Sequence, residues 1–310
     1  MEVLTTEGEP GMKLGLSLPT AGPGVSPESI AKVAEDAERI GLASVWTFER
    51  LMNPVGGAIP IGGTDPVPLP DGYGSVWDPI ETLAYVAART RTISLGTSVL
   101  DAVLHSPIVL ARRLATLDRL CDGRLLAGIG VGWMSAEYEA AGVPEEKRGP
   151  RMGEHITAMR KAWGPDPVEH DGHFYKIAAS QVGPKPTRPD GVTLLAGSMA
   201  PAAVERAGRL GVGLNPIMMT WEMLDGSISM FRAAAEKAGH DSLPIVLKVN
   251  GAVRPAPSDT RDPLTGGVEQ VLEDLDRVRA IGIDHVMWWM ETDPDEQLGV
   301  MADLLRGANT

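Results

Sequence analysis

Few side chains in this sequence can do chemistry, and most familiar constellations of them are missing. A carboxylate and a guanidinium, Glu49 and Arg50, follow the short apolar run 43–48. A guanidinium stays charged near neutral pH and cannot hand over a proton. Arg50 is therefore suited to pairing with an anion, and Glu49 is the member able to carry a proton. A plain Glu49–Arg50 ion pair at the surface is the competing expectation. The six histidines, at 105, 155, 170, 173, 240 and 285, offer no His-x-His of the kind a metal-dependent hydrolase would need. His170 and His173 have ligand-like spacing, but they fall in an irregular stretch where two solvated loop side chains are expected. No G-x-S-x-G nucleophile turn and no G-x-x-x-x-G-K phosphate loop is present. Cys121, the single cysteine, closes an apolar helical run with Leu114, Leu117 and Leu120, so a buried thiol is expected rather than a nucleophile. Lys248 lies on an apolar run without evident partners for Schiff-base chemistry.

What remains is a set of glycines, small hydroxyls and apolar groups at the ends of apolar runs. They include Ser98 and Val99, Gly130 to Trp133, and Gly197 to Met199. Such a mouth suits a large, flat, partly apolar cofactor with an anionic tail. Gly197-Ser198 stands just before a helix expected to begin near Pro201, where backbone N–H groups and the helix dipole favour an anion. An ordinary tight turn is the competing expectation. The run G-I-G-V-G-W at 128–133 is half of a dinucleotide fingerprint, without its third-glycine spacing or its downstream acid.

The elements that must position these groups are legible as an alternation. Apolar runs rich in Val, Ile and Leu predict strands over 12–18, 43–48, 93–100, 125–130, 192–197, 212–216, 244–250 and 283–290. Amphipathic segments predict helices over 26–40, 78–89, 107–120, 136–141 with 152–163, 201–210, 221–238, 268–281 and 294–306. The strands are apolar nearly throughout, which means both faces are buried, as in a parallel barrel. The fold class is therefore α/β, a single (β/α)8 TIM barrel with insertion loops, and a doubly wound open sheet is the alternative. In a barrel the chemistry sits on the loops after each strand. Those positions include Glu49 and Arg50, Asp101 with His105 just beyond, Trp133, Asn215 and Met218, Asn250, and Trp288, Trp289 and Glu291. Alternation turns only one of Trp288 and Trp289 inward.

The chain has 310 residues, and a barrel needs about 250. The surplus falls in three segments, 49–77, 164–190 and 251–265, with 49–77 the expected lid. One barrel domain is expected over 12–308, after an N-terminal extension at 1–11. With 41 acidic and 28 basic residues the net charge is −13, the reverse of a nucleic-acid binder's footprint. No apolar stretch approaches the ~20 residues of a membrane span. The polar, acidic start is unlike a secretory signal, and one cysteine leaves no internal disulfide, so a cytoplasmic setting is expected.

Several segments, in order, resemble the bacterial luciferase-like superfamily of flavin and deazaflavin oxidoreductases. They are A-E-R-I-G-L-A-S-V-W at 37–46, I-S-L-G-T-S-V-L at 93–100, S-P-I-V-L-A-R-R-L-A-T-L-D-R-L-C-D-G-R-L at 106–125, G-V-G-W at 130–133, G-H-F-Y at 172–175, P-K-P at 184–186 and A-G-x-L-G-x-G at 207–213. The resemblance spans about residues 12–305 and implies a (β/α)8 barrel. It implies a non-proline cis peptide at Ser98–Val99 beneath the cofactor ring, a phosphate-binding turn at Gly197-Ser198, and Val131 and Gly132 beside the ring. Thr47, Ala196 and Met199 complete the expected cofactor contacts, and Trp133, His105, Met218 and Trp289 the expected substrate pocket. The cofactor it implies is coenzyme F-420, with FMN as alternative, and the segments A-R-R-L-A-T-L-D and G-H-F-Y favour the former. The expected activity is hydride transfer between that cofactor and a small organic substrate. An FMN-dependent monooxygenase and a non-catalytic flavin-binding barrel are the other readings. A reductase supplying reduced cofactor and a homodimer are the implied partners, and no metal is expected. Where the family often has Ser-Asp-His after strand two, this chain has Phe48, Glu49 and Arg50; after strand six Val212-Gly213 replaces Asp-Gly.

Overall fold

A computed structural model of the chain describes residues 11–59, 65–289 and 293–308. Nearly all of the expected N-terminal extension, part of the expected lid, Met290 and Glu291 lie outside the described residues.

Eight parallel strands build the centre: β1 Lys13–Ser17, β2 Ser44–Thr47, β3 Ser94–Asp101, β4 Leu125–Gly130, β5 Thr193–Ala196, β6 Gly213–Leu214, β7 Val246–Asn250 and β8 His285–Trp289. Their order is β6-β5-β4-β3-β2-β1-β8-β7. Parallel bridges Leu214–Ile245 and Ile217–Lys248 bring β6 back to β7, so the sheet closes on itself as the expected barrel rather than an open sheet. Nine α-helices are described: α1 Pro27–Ile40, α2 Pro79–Arg89, α3 Pro107–Leu120, α4 Ser135–Ala140, α5 Arg148–Trp163, α6 Pro201–Arg209, α7 Trp221–Lys237, α8 Val268–Ala280 and α9 Pro294–Ala308. Their starts are written in the sequence. Ser26 caps α1 with a reciprocal Ser29 bond ahead of Pro27, and Asp78 caps α2 ahead of Pro79.

The core has two zones. The larger lies between strands and helices, where Leu14, Leu16, Leu95, Ile129, Leu247 and Trp288 meet helix residues such as Ile30, Leu83 and Leu114. The smaller is the column inside the barrel, made by Trp46, Leu195, Val246 and Met287. Trp46 fits there because its neighbours have no side chain. A Cβ on Gly96 would lie 2.2 Å from the Trp46 ring, and one on Gly15 2.8 Å from its Nε1. Trp46 Nε1 donates to Ser44 Oγ at 2.7 Å, and that hydroxyl is 2.7 Å from His285 Nε2. Burial holds His285 well below its usual value, at about 4, so it is neutral and belongs to the floor rather than to the chemistry.

Two expected irregular stretches carry short structure. The segment 164–190 holds an antiparallel pair, Val168–Asp171 with Lys176–Ser180. The Glu154 carboxylate clasps its turn by accepting the N–H groups of His173, Phe174 and Tyr175. His170 is therefore not the solvated loop residue expected; it is buried, 3.3 Å from Glu154 Oε1. In 49–77, Ala58–Ile59 pairs with Val67–Pro68, and a 3-10 turn runs over Asp71–Gly74. Cys121 is buried, as expected, and burial raises its thiol pKa.

Candidate active site

Every strand alternates, so residues two apart share a face. With Trp46 inside, Phe48, Ser98, Gly130, Lys248 and Trp289 are the next inward positions on their strands, and they form the layer above it. Here β3 departs from regularity. The Ser98–Val99 peptide is cis, and the β3–β4 register slips between Thr97 and Leu100. The bulge pushes the Val99 side chain between β4 and β5. A Cβ on Gly197 would stand 2.4 Å from Val99 Cγ1, and one on Gly130 2.8 Å from Val99 Cγ2. The glycines at these two strand ends are thus the space that Val99 occupies. Ser98 is fixed below by its hydroxyl, which donates to Asn215 Oδ1 at 2.6 Å, while Asn215 Nδ2 donates to the Val246 carbonyl at 2.7 Å.

Two adjoining cavities open above this floor. One, of about 410 Å3, is lined by Glu49, Arg50, Ser98, Val99, Asp101, Val131, Gly132, Trp133, Gly197, Ser198 and Met199 among others. The other, also about 410 Å3, lies against Trp289, Gly251, Ala252 and Arg254. Phe48, Tyr73, Lys248 and Asn250 line both and form the boundary between them. Each is within the size of pockets that hold small molecules.

A charged cluster forms one wall of the first cavity. Arg50 Nη2 donates to Asp101 Oδ2 at 2.7 Å, and its Nη1 lies 3.3 Å from Glu137 Oε2. The guanidinium sits over Trp133 at 5.1 Å and near Tyr73 at 5.9 Å. Glu49 faces the other way within the cluster. Its Oε1 is 2.7 Å from His105 Nε2, and its Oε2 accepts the Asp101 N–H at 2.7 Å. The expected alternative, a surface Glu49–Arg50 pair, is not found: both side chains are buried and each has other partners. Burial alone would lower the His105 pKa, but the hydrogen bond and charge of Glu49 outweigh it and raise it. The cluster holds three carboxylates, Glu49, Asp101 and Glu137, against Arg50 and His105, one acid more than it has cationic groups. Burial pushes Asp101 up to about 7, against the pull of Arg50 and with Glu49 and Glu137 adding to the rise.

Lys248 presents the opposite imbalance. Its Nζ donates to the Ser98 carbonyl at 3.1 Å and lies 5.0 Å over the Trp289 ring, with no carboxylate in contact among the described residues. Burial, with the Arg50 charge adding, brings it down to about 8.

At the far end, Gly197–Met199 leads into α6. That helix has no side-chain cap at Ala200; Pro201 has no N–H and the Ala203 N–H turns back to the Ala200 carbonyl, which leaves the Ala202 N–H and the helix dipole to favour an anion.

Of the expected site residues, Glu49, Arg50, Ser98, Val99, Val131, Gly132, Trp133, Gly197, Ser198 and Met199 line the first cavity, and Trp289 the second. Four do not. Thr47 alternates outward, with its hydroxyl directed to the Gly96 carbonyl at 3.4 Å. Ala196 likewise packs against the outer core. Met218 is buried in that core, and its neighbour Ile217 takes the lining position. His105 stands behind Glu49, outside the lining. Asp101, Lys248, Phe48, Tyr73, Asn215 and Asn250 complete the walls. Strand-end position and alternation point to all of these except Tyr73, which the 49–77 segment brings in. Among the described residues no group of three or more His, Cys, Asp or Glu is arranged to hold a metal.

An uncharacterized protein of Mycobacterium tuberculosis is 30% identical over 84% of this chain and 91% of its own length. The F-420-dependent glucose-6-phosphate dehydrogenase of Amycolatopsis mediterranei is 29% identical over 87% of this chain and 83% of its own. Among solved structures, a monooxygenase from Streptomyces bottropensis superposes with a TM-score of 0.80 at 22% identity, covering 96% of this chain and 100% of that one. An F-420-dependent secondary alcohol dehydrogenase superposes at 0.79 with 17% identity, covering 96% and 99%. These two likenesses show the shared barrel. The profile of luciferase-like monooxygenases matches residues 12–285. With the barrel, the bulge at Ser98–Val99 and this match together, the chain belongs to the luciferase-like monooxygenase family.

Proposed function

We propose that this luciferase-like oxidoreductase transfers a hydride between coenzyme F-420 and a small organic substrate. The observation that carries the reading is the two-lobed cleft. One lobe lies over the Ser98–Val99 bulge and runs toward the uncapped start of α6, and the other adjoins it across Phe48, Tyr73, Lys248 and Asn250. The residues fit a flat ring with an anionic tail. Ser98, Val99, Val131 and Gly132 would hold the ring, and Gly197, Ser198 and Met199 the phosphate. When bound, the deazaflavin supplies a carbon that gives or takes a hydride.

The chain's own part is to position, exclude water and manage one proton. Trp133 and Tyr73 wall the lobe beside Arg50. Arg50 is engaged by Asp101 and Glu137, so it fixes that wall and meets an anionic ring or substrate only when one of these acids is protonated. Glu49 has both oxygens engaged, by His105 and by the Asp101 N–H, so it positions the cluster. Asp101 is the better proton carrier, because it lines the cavity and titrates near neutrality.

The second reading is an FMN-dependent monooxygenase using reduced flavin and oxygen. The relatives named as F-420-dependent support the first reading over it. A reductase would supply reduced cofactor in either case. A cytoplasmic homodimer is part of the proposal, and the partly apolar groove between α2 and α3, with exposed Val109 and Leu120, supports the dimer. Titration with coenzyme F-420 and with FMN, followed by cofactor fluorescence, tests the reading. Saturable F-420 binding tighter than FMN is expected. Preference for FMN moves the assignment to the second reading, and binding of neither overturns both.

A further inference from the structure

The second lobe has a charge that the reading above leaves unused. Among its described lining residues are two cations, Lys248 and Arg254, and no acid. The rest of its wall is aromatic or small: Phe48, Tyr73, Trp289, Gly251 and Ala252, with Asn250 as a further polar group. Phe48 and Trp289 meet edge to face at 4.2 Å between ring centres, and Phe48 touches Tyr73 at 5.7 Å. This patch stands on a chain of net charge −13, so its sign is opposite to that of the molecule around it.

Lys248 is set in place rather than left to drift. Its ammonium is held by the Ser98 carbonyl and the Trp289 face, both neutral. A partly buried ammonium without a counter-charge is costly, and a bound anion would supply that counter-charge. Arg254 lies at the start of the second Pro-rich segment, on the short pair Val253–Arg254 with Gly266–Gly267, and it lines this lobe alone. Its guanidinium is exposed and makes no ion pair among the described residues. A ligand seated in the lobe thus meets a fixed ammonium at the ring boundary and a second cation at the mouth, with flat apolar walls between.

We infer that the substrate of this enzyme is an organic anion, a flat or apolar body bearing an oxyanion head group that Lys248 and Arg254 bind together. The head group is a carboxylate or a phosphate ester, since either completes the two cations. The inference rests on the oxidoreductase reading for the assignment of this lobe to substrate, but binding of the anion does not depend on turnover.

The test uses the full chain and three probes of one body: benzoate, phenyl phosphate and the neutral benzyl alcohol, each titrated by calorimetry. At least one anion is expected to bind at least tenfold more tightly than the alcohol, and the stronger of the two identifies the head group. Arg254→Ala and Lys248→Met are each expected to weaken that anion about tenfold and leave the alcohol unchanged. Arg254 is exposed, so its variant keeps the fold even if the Lys248 variant does not. Equal binding of anion and alcohol, or full anion affinity in Arg254→Ala, overturns the inference. So does a Lys248→Met protein that keeps the anion and loses only the cofactor, since Lys248 then serves the ring. Anion binding by a chain that binds neither F-420 nor FMN supports the anion site and counts against the oxidoreductase reading instead.

Discussion

Asp101 holds a proton near neutrality because it is the surplus acid in a buried cluster that has only Arg50 and His105 as counter-charges. Burial leads, the Arg50 charge opposes, and the result is a value of about 7. An acid raised in the folded state favours folding below its unfolded pKa, and that contribution is lost as pH rises through the folded value. For Asp101 the window runs from about 4 to about 7. Asp101→Asn cannot titrate, so its melting temperature is expected to gain on the parent between pH 5 and pH 8. A constant difference across that range would remove Asp101 as the titrating group. At pH 7 the same variant is expected to lose about 10²-fold in turnover while keeping cofactor affinity, the usual worth of a positioned proton donor. Turnover within threefold of the parent would return the role to another group.

At the scale of elements, the site is a bulge and the two glycines that make room for it. Val99 fills the space a Cβ would take at Gly130 and Gly197. Gly197→Ala places a methyl 2.4 Å from Val99 Cγ1, closer than any relaxed contact, so β5 or the bulge must shift. Overpacking of this kind costs about 1–3 kcal/mol. The variant is expected to fold, by circular dichroism, and to bind F-420 at least tenfold more weakly. Parent affinity in a folded Gly197→Ala protein would mean that the bulge does not shape the cofactor lobe. Strands and helices were legible because burial on both faces and capped helix starts write local patterns; Ser26-Pro27 and Asp78-Pro79 are examples. Glu49 and Arg50 were legible as strand-end groups. Their partners were not, because Asp101, His105 and Glu137 lie 51 to 87 positions from the residue each one meets and no local spacing encodes which one meets which. Met218 was misplaced by one residue. Past the two-residue strand β6, its barrel bridge runs through Ile217, and alternation cannot be counted reliably through so short an element.

The whole molecule sets two electrostatic fields against each other, and they act at different ranges. Net charge of −13 repels an anionic cofactor or substrate at a distance. Lys248 and Arg254 attract it only once it is within the cleft. These two lie six residues apart, on β7 and just after it, and both line one lobe, a local charge that total composition cannot reveal. Salt separates the fields, since the screening length falls from about 30 Å at 0.01 M to about 8 Å at 0.15 M. The long-range repulsion is then largely removed, whereas pairs inside a buried cleft are screened much less. The association rate of F-420 or FMN, measured by stopped-flow fluorescence, is therefore expected to rise several-fold between those salt concentrations. Riboflavin, which lacks the phosphate, is the control and is expected to show little change. A rate that falls with salt would mean that the cations of the cleft govern the approach as well as the bound state, and that the acidic surface lies away from the path of entry.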